Sequence, residues 1–236
     1  MPGFNDIDRL KAEYKKRDAV PLKRYRYSHK DRANAFLLEQ RSNCVFDLLG
    51  LKEQNPLEDQ KILEIGCGTG GVLEELLEYG ADPGSIFGID LIASRLRLAH
   101  ELLPTIDLIN GDGQKLPFPT ASFDLCLQFT AFSSILDNEI KQQMAKEMLR
   151  MLRPGGAILW YDFWLNPLNK QTRGVGLMEI RRLFPGCTYQ VRKITLAPPI
   201  ARILLPFSIK MATLLEKMKI LNSHYLVLIT PPEVIK

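Results

Sequence analysis

Residues 63–71 read LEIGCGTGG, and the stretch runs on into VLEELLEYG. A short apolar run gives way to clustered glycines, then to Val72, Leu73, Leu76 and Leu77 at helical spacing. The pattern is strand, tight loop, helix. Two glycine spacings overlap in the loop. Gly66, Gly68 and Gly71 make G-x-G-x-x-G, while Glu64, Gly66, Gly68 and Gly70 make E-x-G-x-G-x-G. In both, the glycines permit a tight turn, a close approach of backbone to ligand and close packing of the helix. The helix N-terminus also turns N–H groups toward negative charge. The loop alone does not say which ligand it holds.

The same alternation extends outward. Short apolar runs at KILEIG, IFGID, IDLINGD, SFDLCLQF and AILWYDFW are separated by helical patterns in SRLRLAHELL and NEIKQQMAKEMLRML. Beyond them come a helix near MEIRRLF, a strand CTYQVRKITL, an apolar basic stretch and a last strand SHYLVLIT. This order predicts an α/β domain with a mostly parallel sheet covered on both faces. Upstream, residues 31–49 read as a helix with Asp31 as N-cap and Gly50 as its stop. Residues 1–30 read as irregular chain.

The 236 residues, 46% hydrophobic and 25% charged, suit one domain with a full core. The four cysteines form no C-x-x-C pair, so neither a zinc knuckle nor a disulfide framework is indicated and no metal is expected. A reducing cytoplasm is the simplest setting, and the sequence shows no signal-peptide pattern. Net charge is +4, and residues 1–41 carry 11 Lys/Arg against 6 Asp/Glu. A basic arm can attract nucleic acid or anionic lipid, but without a dense Lys/Arg block a solvated flank is the simpler reading.

Asp90 ends IFGID, 19 residues past Gly71, where its carboxylate suits a ribose diol. Three further features bear on the ligand. Glu64 would repel a pyrophosphate but can order the amino-acid end of S-adenosylmethionine (AdoMet). Asp112, 22 residues beyond Asp90, can accept from an adenine amino group. A Pro-Gly-Gly turn in MLRPGG precedes the fifth strand. Taken together, EIGCGTG, Asp90, GDGQKLPFPTASFDLC and LRPGG resemble the class I AdoMet-dependent methyltransferases, and within them the type-11 group of ubiquinone- and menaquinone-type enzymes. The resemblance covers about residues 58–165.

That resemblance implies a Rossmann-like, seven-stranded sheet of order 3-2-1-4-5-7-6 with an antiparallel last strand. It implies AdoMet as cofactor, with Gly66, Gly68 and Gly70 lining its methionine part and Cys67 a small filler between them. Asp90 would hold the ribose, Leu91 lie against the adenine, Asp112 and Gly113 meet the adenine edge, and Gln128 offer backbone near the amino group. The chain is then a single domain over 1–236, with residues 1–50 covering the active site and 197–222 forming an acceptor-side lid. The same topology brings Tyr161, Asp162 and His224 toward one sheet edge. His224, oriented by Asp162, is the candidate catalytic base, while His29 and His100 are weaker candidates.

The expected reaction is methyl transfer, chiefly to oxygen, on a small glycan-related or specialised metabolite, by a monomer or homodimer. Polar NPLNKQTRG could meet such an acceptor through Arg173. A membrane surface enters only for a lipid-linked acceptor. Nucleic acid is disfavoured because LQFTAFSSILD lacks the Asn-Pro-Pro-Tyr-like motif common in base-amino methylases. An RNA methyltransferase and a non-catalytic AdoMet-binding protein are the alternatives.

Overall fold

The first strand, β1 (Ile62–Ile65), is buried at all four positions, which is what a strand at the centre of a parallel sheet requires. The computed structural model describes residues 6–19, 31–51, 57–166 and 169–232. Around β1 lie β2 (Ile86–Asp90), β3 (Asp107–Asn110), β4 (Phe123–Phe129), β5 (Leu152–Phe163), β6 (Thr188–Leu196) and β7 (Asn222–Thr230). The order is β3-β2-β1-β4-β5-β7-β6. The first five strands pair in parallel, and β7 runs antiparallel to both neighbours.

Crossovers are made by α3 (Gly71–Glu78), α4 (Ala93–Leu102), α5 (Asn138–Met151) and α6 (Leu177–Leu183). Because side chains alternate along a strand, the sheet separates two cores. Leu63, Ile65, Ile158 and Trp160 belong to one, and Ile62, Leu127, Leu159 and Tyr161 to the other. Strand β5 starts at Leu152, so the Pro-Gly-Gly of LRPGG, expected as a turn before the strand, lies within the strand's own beginning, next to a register shift between Phe123 and Leu125.

Two helices precede the sheet. In α2 (Arg32–Leu49), Asp31 accepts from the Asn34 N–H at 2.8 Å and Gly50 stops the helix in the left-handed region at φ 69°. Both ends match the sequence expectation. The other helix, α1 (Asp6–Asp18), corrects the reading of residues 1–30 as irregular. Its apolar stripe is short, Ile7, Leu10 and Tyr14 at i, i+3, i+7 spacing in an otherwise mostly charged run, and only Leu10 is buried, so the sequence reading passed over it. Its support is distant in sequence. Arg9 donates to the Ser134 carbonyl at 2.6 Å, and an Asp6 oxygen accepts from the Leu136 N–H at 2.7 Å.

The expected lid, 197–222, folds as α7 (Pro198–Leu204) and α8 (Ile209–Met218). The pair packs on α2, where Ala201, Leu205 and Ala212 meet Ala33, Phe36 and Leu37.

Candidate active site

The carboxyl ends of β1, β2 and β4 open onto a cavity of about 290 Å³, close to the lower end of the ~300–1,000 Å³ common for ligand sites. The glycine loop forms its floor. Gly66 and Gly68 have φ of 80° and 56°, a region that side-chain-bearing residues rarely adopt. The N–H groups of Gly66 and Cys67 both donate to the Ile89 carbonyl, at 2.8 and 3.2 Å, which pins the loop to β2.

Asp90 completes the fastening. One of its oxygens accepts from the Gly68 N–H and the other from the Ile92 N–H, each at 2.8 Å. Burial raises its pKa, against the pull of these two bonds. Each oxygen retains acceptor capacity toward the cavity, as a ribose diol requires.

The overlapping glycine spacings are distinguished by what a Cβ would meet. At Gly70, with φ 85°, an added Cβ would lie 2.7 Å from Leu103 Cδ1; at Gly71 it would meet nothing within 4 Å. Gly70 is therefore the third glycine that the fold needs, and it serves helix packing rather than the cavity wall. This selects the E-x-G-x-G-x-G parse.

Glu64 supplies the leading residue. It lines the cavity, yet it is 2% exposed and its Oε2 has no hydrogen-bond partner among the described residues. Burial pushes its pKa up to about 8, with Arg41 opposing. An unpartnered buried carboxyl beside an open cavity fits a cationic ligand end such as the ammonium of AdoMet. Leu91, Asp112 and Gly113 line the side next to β2 and β3. The Asp112 carboxylate already holds the Gln114 N–H at 2.9 Å. Cys67 lines the loop, and burial drives its thiol pKa far upward, so it is an inert filler.

The comparisons with known proteins agree with this geometry. Residues 62–156 match a family described as a methyltransferase domain. These residues are a methyltransferase domain.

The methyltransferase domain is similar to the phthiotriol/phenolphthiotriol dimycocerosates methyltransferase 1 of Mycobacterium ulcerans, 34% identical over 48% of this chain and 41% of that one. It is 26% identical to the demethylmenaquinone methyltransferase of a Geobacillus species over 56% of this chain and 57% of that one. The chain thus spans about half the length of the curated relatives it matches. A solved Thermotoga maritima structure described as a SAM-dependent methyltransferase, possible histamine N-methyltransferase, aligns with TM-score 0.64. It covers 94% of this chain and 100% of that one at 16% identity, a likeness of fold.

The three residues expected together at the acceptor end are divided, with Tyr161 and His224 stacked on one face of the sheet and Asp162 on the other. Only Tyr161 lines the cavity. Its hydroxyl is engaged with the Thr195 hydroxyl at 2.8 Å, and burial pushes its pKa to about 12. His224 lies behind it, 3% exposed, with the two rings parallel within 3° and 4.7 Å apart. Burial lowers its pKa to about 3, and its Nδ1 is 3.0 Å from the Ser223 hydroxyl.

Asp162 is on the opposite face. It pairs across the ladder with Tyr225, whereas His224 pairs with Phe163. Its oxygens accept from the Ser133 and Phe163 N–H groups at 2.9 and 2.8 Å, and burial raises its pKa to about 6. The proposed His224–Asp162 pair is thus separated by the sheet. Strand direction says which end a residue reaches; the pleat decides its face.

Gln128 is also outside the cavity wall. It is fully buried, and its Oε1 accepts from the Ala131 N–H at 3.1 Å, holding the loop after β4. Arg173 binds Asn138 at 2.6 Å and Glu179 at 2.8 Å, which makes its segment a connector. His29 lies outside the described residues. His100 is exposed on α4. No residue of 197–222 lines the cavity, because α2 stands between.

Residues 1–50 were expected over the active site, but sequence reasoning named none of the wall residues that the N-terminal helices supply. Ile7, Leu10 and Tyr14 of α1 and Leu38 and Arg41 of α2 line the cavity. Arg41 pairs with Glu75, and its guanidinium lies 5.2 Å from the Phe129 ring centre and 5.6 Å from that of Tyr161. Thr130 was also missed. It lines the cavity with φ 61°, a strained setting for a β-branched residue that costs on the order of 1–3 kcal/mol. The backbone strain at Thr130 has no local sequence signal.

Proposed function

We propose that the chain is an AdoMet-dependent methyltransferase whose acceptor is an apolar small molecule bearing a hydroxyl, quinol- or lipid-like rather than a sugar. The observation that carries this reading is the character of the wall contributed by α1, α2 and β4. It presents Ile7, Leu10, Leu38 and Phe129, joined by Tyr161, Ile135 and Ile140. A sugar laid against these apolar side chains would leave hydroxyls unpaired there, at a cost for each unmade hydrogen bond. The Mycobacterium ulcerans and Geobacillus relatives, named for phthiotriol/phenolphthiotriol dimycocerosates and for demethylmenaquinone, support the same class.

AdoMet, when bound, supplies a methyl group on a sulfonium, open to in-line attack. The chain's residues provide placement and charge. The glycine loop and Asp90 fix the cofactor's orientation, and alignment of two reactants alone can contribute roughly 7–11 kcal/mol in favourable cases. Glu64 sets negative potential at the cationic end. Arg41, lying over Phe129 and Tyr161, adds positive potential that favours a deprotonated acceptor oxygen. No histidine lines the cavity among the described residues. In this reading His224 supports the Tyr161 ring instead of accepting the proton.

Transfer of tritiated methyl from AdoMet to naphthoquinols, long-chain diols and monosaccharides tests the assignment. Label is expected in the apolar acceptors. Label found only in the sugars would overturn it.

A further inference from the structure

The α7–α8 pair carries a surface that the methyltransferase reading does not use. Of the eleven large hydrophobic residues exposed among the described residues, eight fall between Ile203 and Leu221. Phe207, at the bend between the two helices, is 86% exposed, the most of any of them. Along α8, Met211, Leu214 and Met218 follow i, i+3, i+7 spacing and form one outward stripe. The opposite face is also committed. Ala212 is buried against α2 and its neighbours, and Glu216 accepts from the Thr195 N–H at 2.8 Å.

The charge around the stripe has one sign. Lys210 and Lys217, seven residues apart, run alongside it and are exposed, as is Lys219 just beyond the helix; Arg202 is half-buried on α7. Glu216 is the only acidic residue between 198 and 221, and it is buried. The outer surface of this pair is therefore apolar and cationic, with no acid. A protein partner's apolar face would not require a collar of uniform positive charge. The surface of an anionic bilayer supplies both an apolar layer and the opposite sign. Stable seating on a bilayer takes two signals, apolar insertion and basic attraction, and both are present here.

We propose that α7–α8 is a docking element for anionic lipid surfaces, with Phe207, Met211, Leu214 and Met218 entering the headgroup boundary and Lys210, Lys217 and Lys219 facing the headgroups. Among the described residues no helix is long and apolar enough to cross a membrane, so the contact is interfacial. Helix α2 links this surface to the cavity. It meets α7–α8 through Ala33, Phe36 and Leu37 and the cavity through Leu38 and Arg41. The inference goes beyond the proposed reaction and does not rest on it.

The test is co-sedimentation of the full chain with phosphatidylcholine vesicles, with and without phosphatidylglycerol, across a salt series. Binding is expected to the anionic vesicles and to weaken with salt. Phe207→Glu with Leu214→Glu should abolish it. Lys210→Glu, Lys217→Glu and Lys219→Glu together should weaken it by at least about tenfold. None of these residues lines the cavity, so both variants should keep the thermal shift with S-adenosylhomocysteine seen for the parent chain. That readout separates a failure of docking from a failure of fold or of cofactor binding.

Three results would overturn the proposal. One is no pelleting with anionic vesicles. Another is pelleting that ignores both sets of substitutions. The third is a concentration-dependent dimer in sedimentation velocity, without vesicle binding, that Phe207→Glu with Leu214→Glu converts to monomer.

Discussion

The Gly68 N–H donates to an Asp90 carboxylate oxygen at 2.8 Å, tying the glycine loop to the end of the neighbouring strand. The residue assigned to the ribose therefore also shapes the loop under the rest of the ligand. Asp90→Asn keeps one oxygen and loses the charge. Hydrogen bonds to charged groups contribute about 1.5–3 kcal/mol each, so affinity for S-adenosylhomocysteine should fall by roughly a hundredfold. Isothermal titration measures it, and a change of less than about threefold would remove Asp90 from the site.

The choice between the two glycine parses gives a paired test. Gly70→Ala places a Cβ 2.7 Å from Leu103 Cδ1 at a φ of 85°. It should destabilise the fold by about 1–3 kcal/mol, lowering Tm by roughly 2–12 °C. Gly71→Ala meets nothing within 4 Å at ordinary helical backbone and should hold or slightly raise Tm. Equal losses in the two variants would contradict the E-x-G-x-G-x-G parse.

Glu64 should make cofactor binding proton-linked. Its pKa in the free protein is raised to about 8, so at pH 7 the carboxyl is mostly protonated. A cationic ligand end beside it favours the ionised form and releases a proton. Affinity should then rise with pH up to about 8 and level off above. Titrations in buffers of different ionisation enthalpy should show release of up to about one proton per ligand at pH 7, and Glu64→Gln should lose it. Release that persists in Glu64→Gln would place the proton elsewhere.

His224 has the opposite linkage. Its folded pKa of about 3 lies below the usual 6.5, so the unfolded chain binds a proton that the folded one does not. Stability should fall as pH drops below 6.5, by up to about 1.4 kcal/mol per pH unit from this group. Glu64 contributes a slope of the other sign between 4.5 and 8, so the comparison must be with a His224 variant. Between pH 7.5 and 5.5 the parent chain should lose about 1 kcal/mol more than His224→Gln, with the pH profile of turnover unchanged in shape. An acid limb of turnover that disappears in His224→Gln would restore His224 as a base.

Much of the cavity lining around the glycine loop was readable because it is local. Glycines at fixed offsets, an acid at a strand end and a second acid after β3 all lie within one run of chain, and a single register of strand, loop and helix places them. The two ends of α2 were readable for the same reason, since Asp31 and Gly50 act within one turn. What was not legible depends on contacts far apart in sequence. Helix α1 is held by Arg9 and Asp6 reaching residues 134–137, more than a hundred positions away. The cavity wall of Ile7, Leu10 and Tyr14 follows from that docking. The supposed meeting of Asp162 and His224 failed on a one-residue question of strand phase, which the order of strands leaves open. The apolar face of α8 was visible as composition, but whether it turned toward the cavity or away was decided by Ala212 and Glu216.

The most direct test of the central claim, that the cavity over residues 64–71 holds AdoMet, is thermal unfolding with S-adenosylhomocysteine and NAD in parallel. At about 100 times its dissociation constant a ligand adds roughly 2.7 kcal/mol, or about 5–11 °C for a domain of this size. The expected result is that rise with S-adenosylhomocysteine, its loss in Asp90→Asn at the same ligand concentration, and no rise with NAD. A rise with NAD and none with S-adenosylhomocysteine would contradict the assignment of the site.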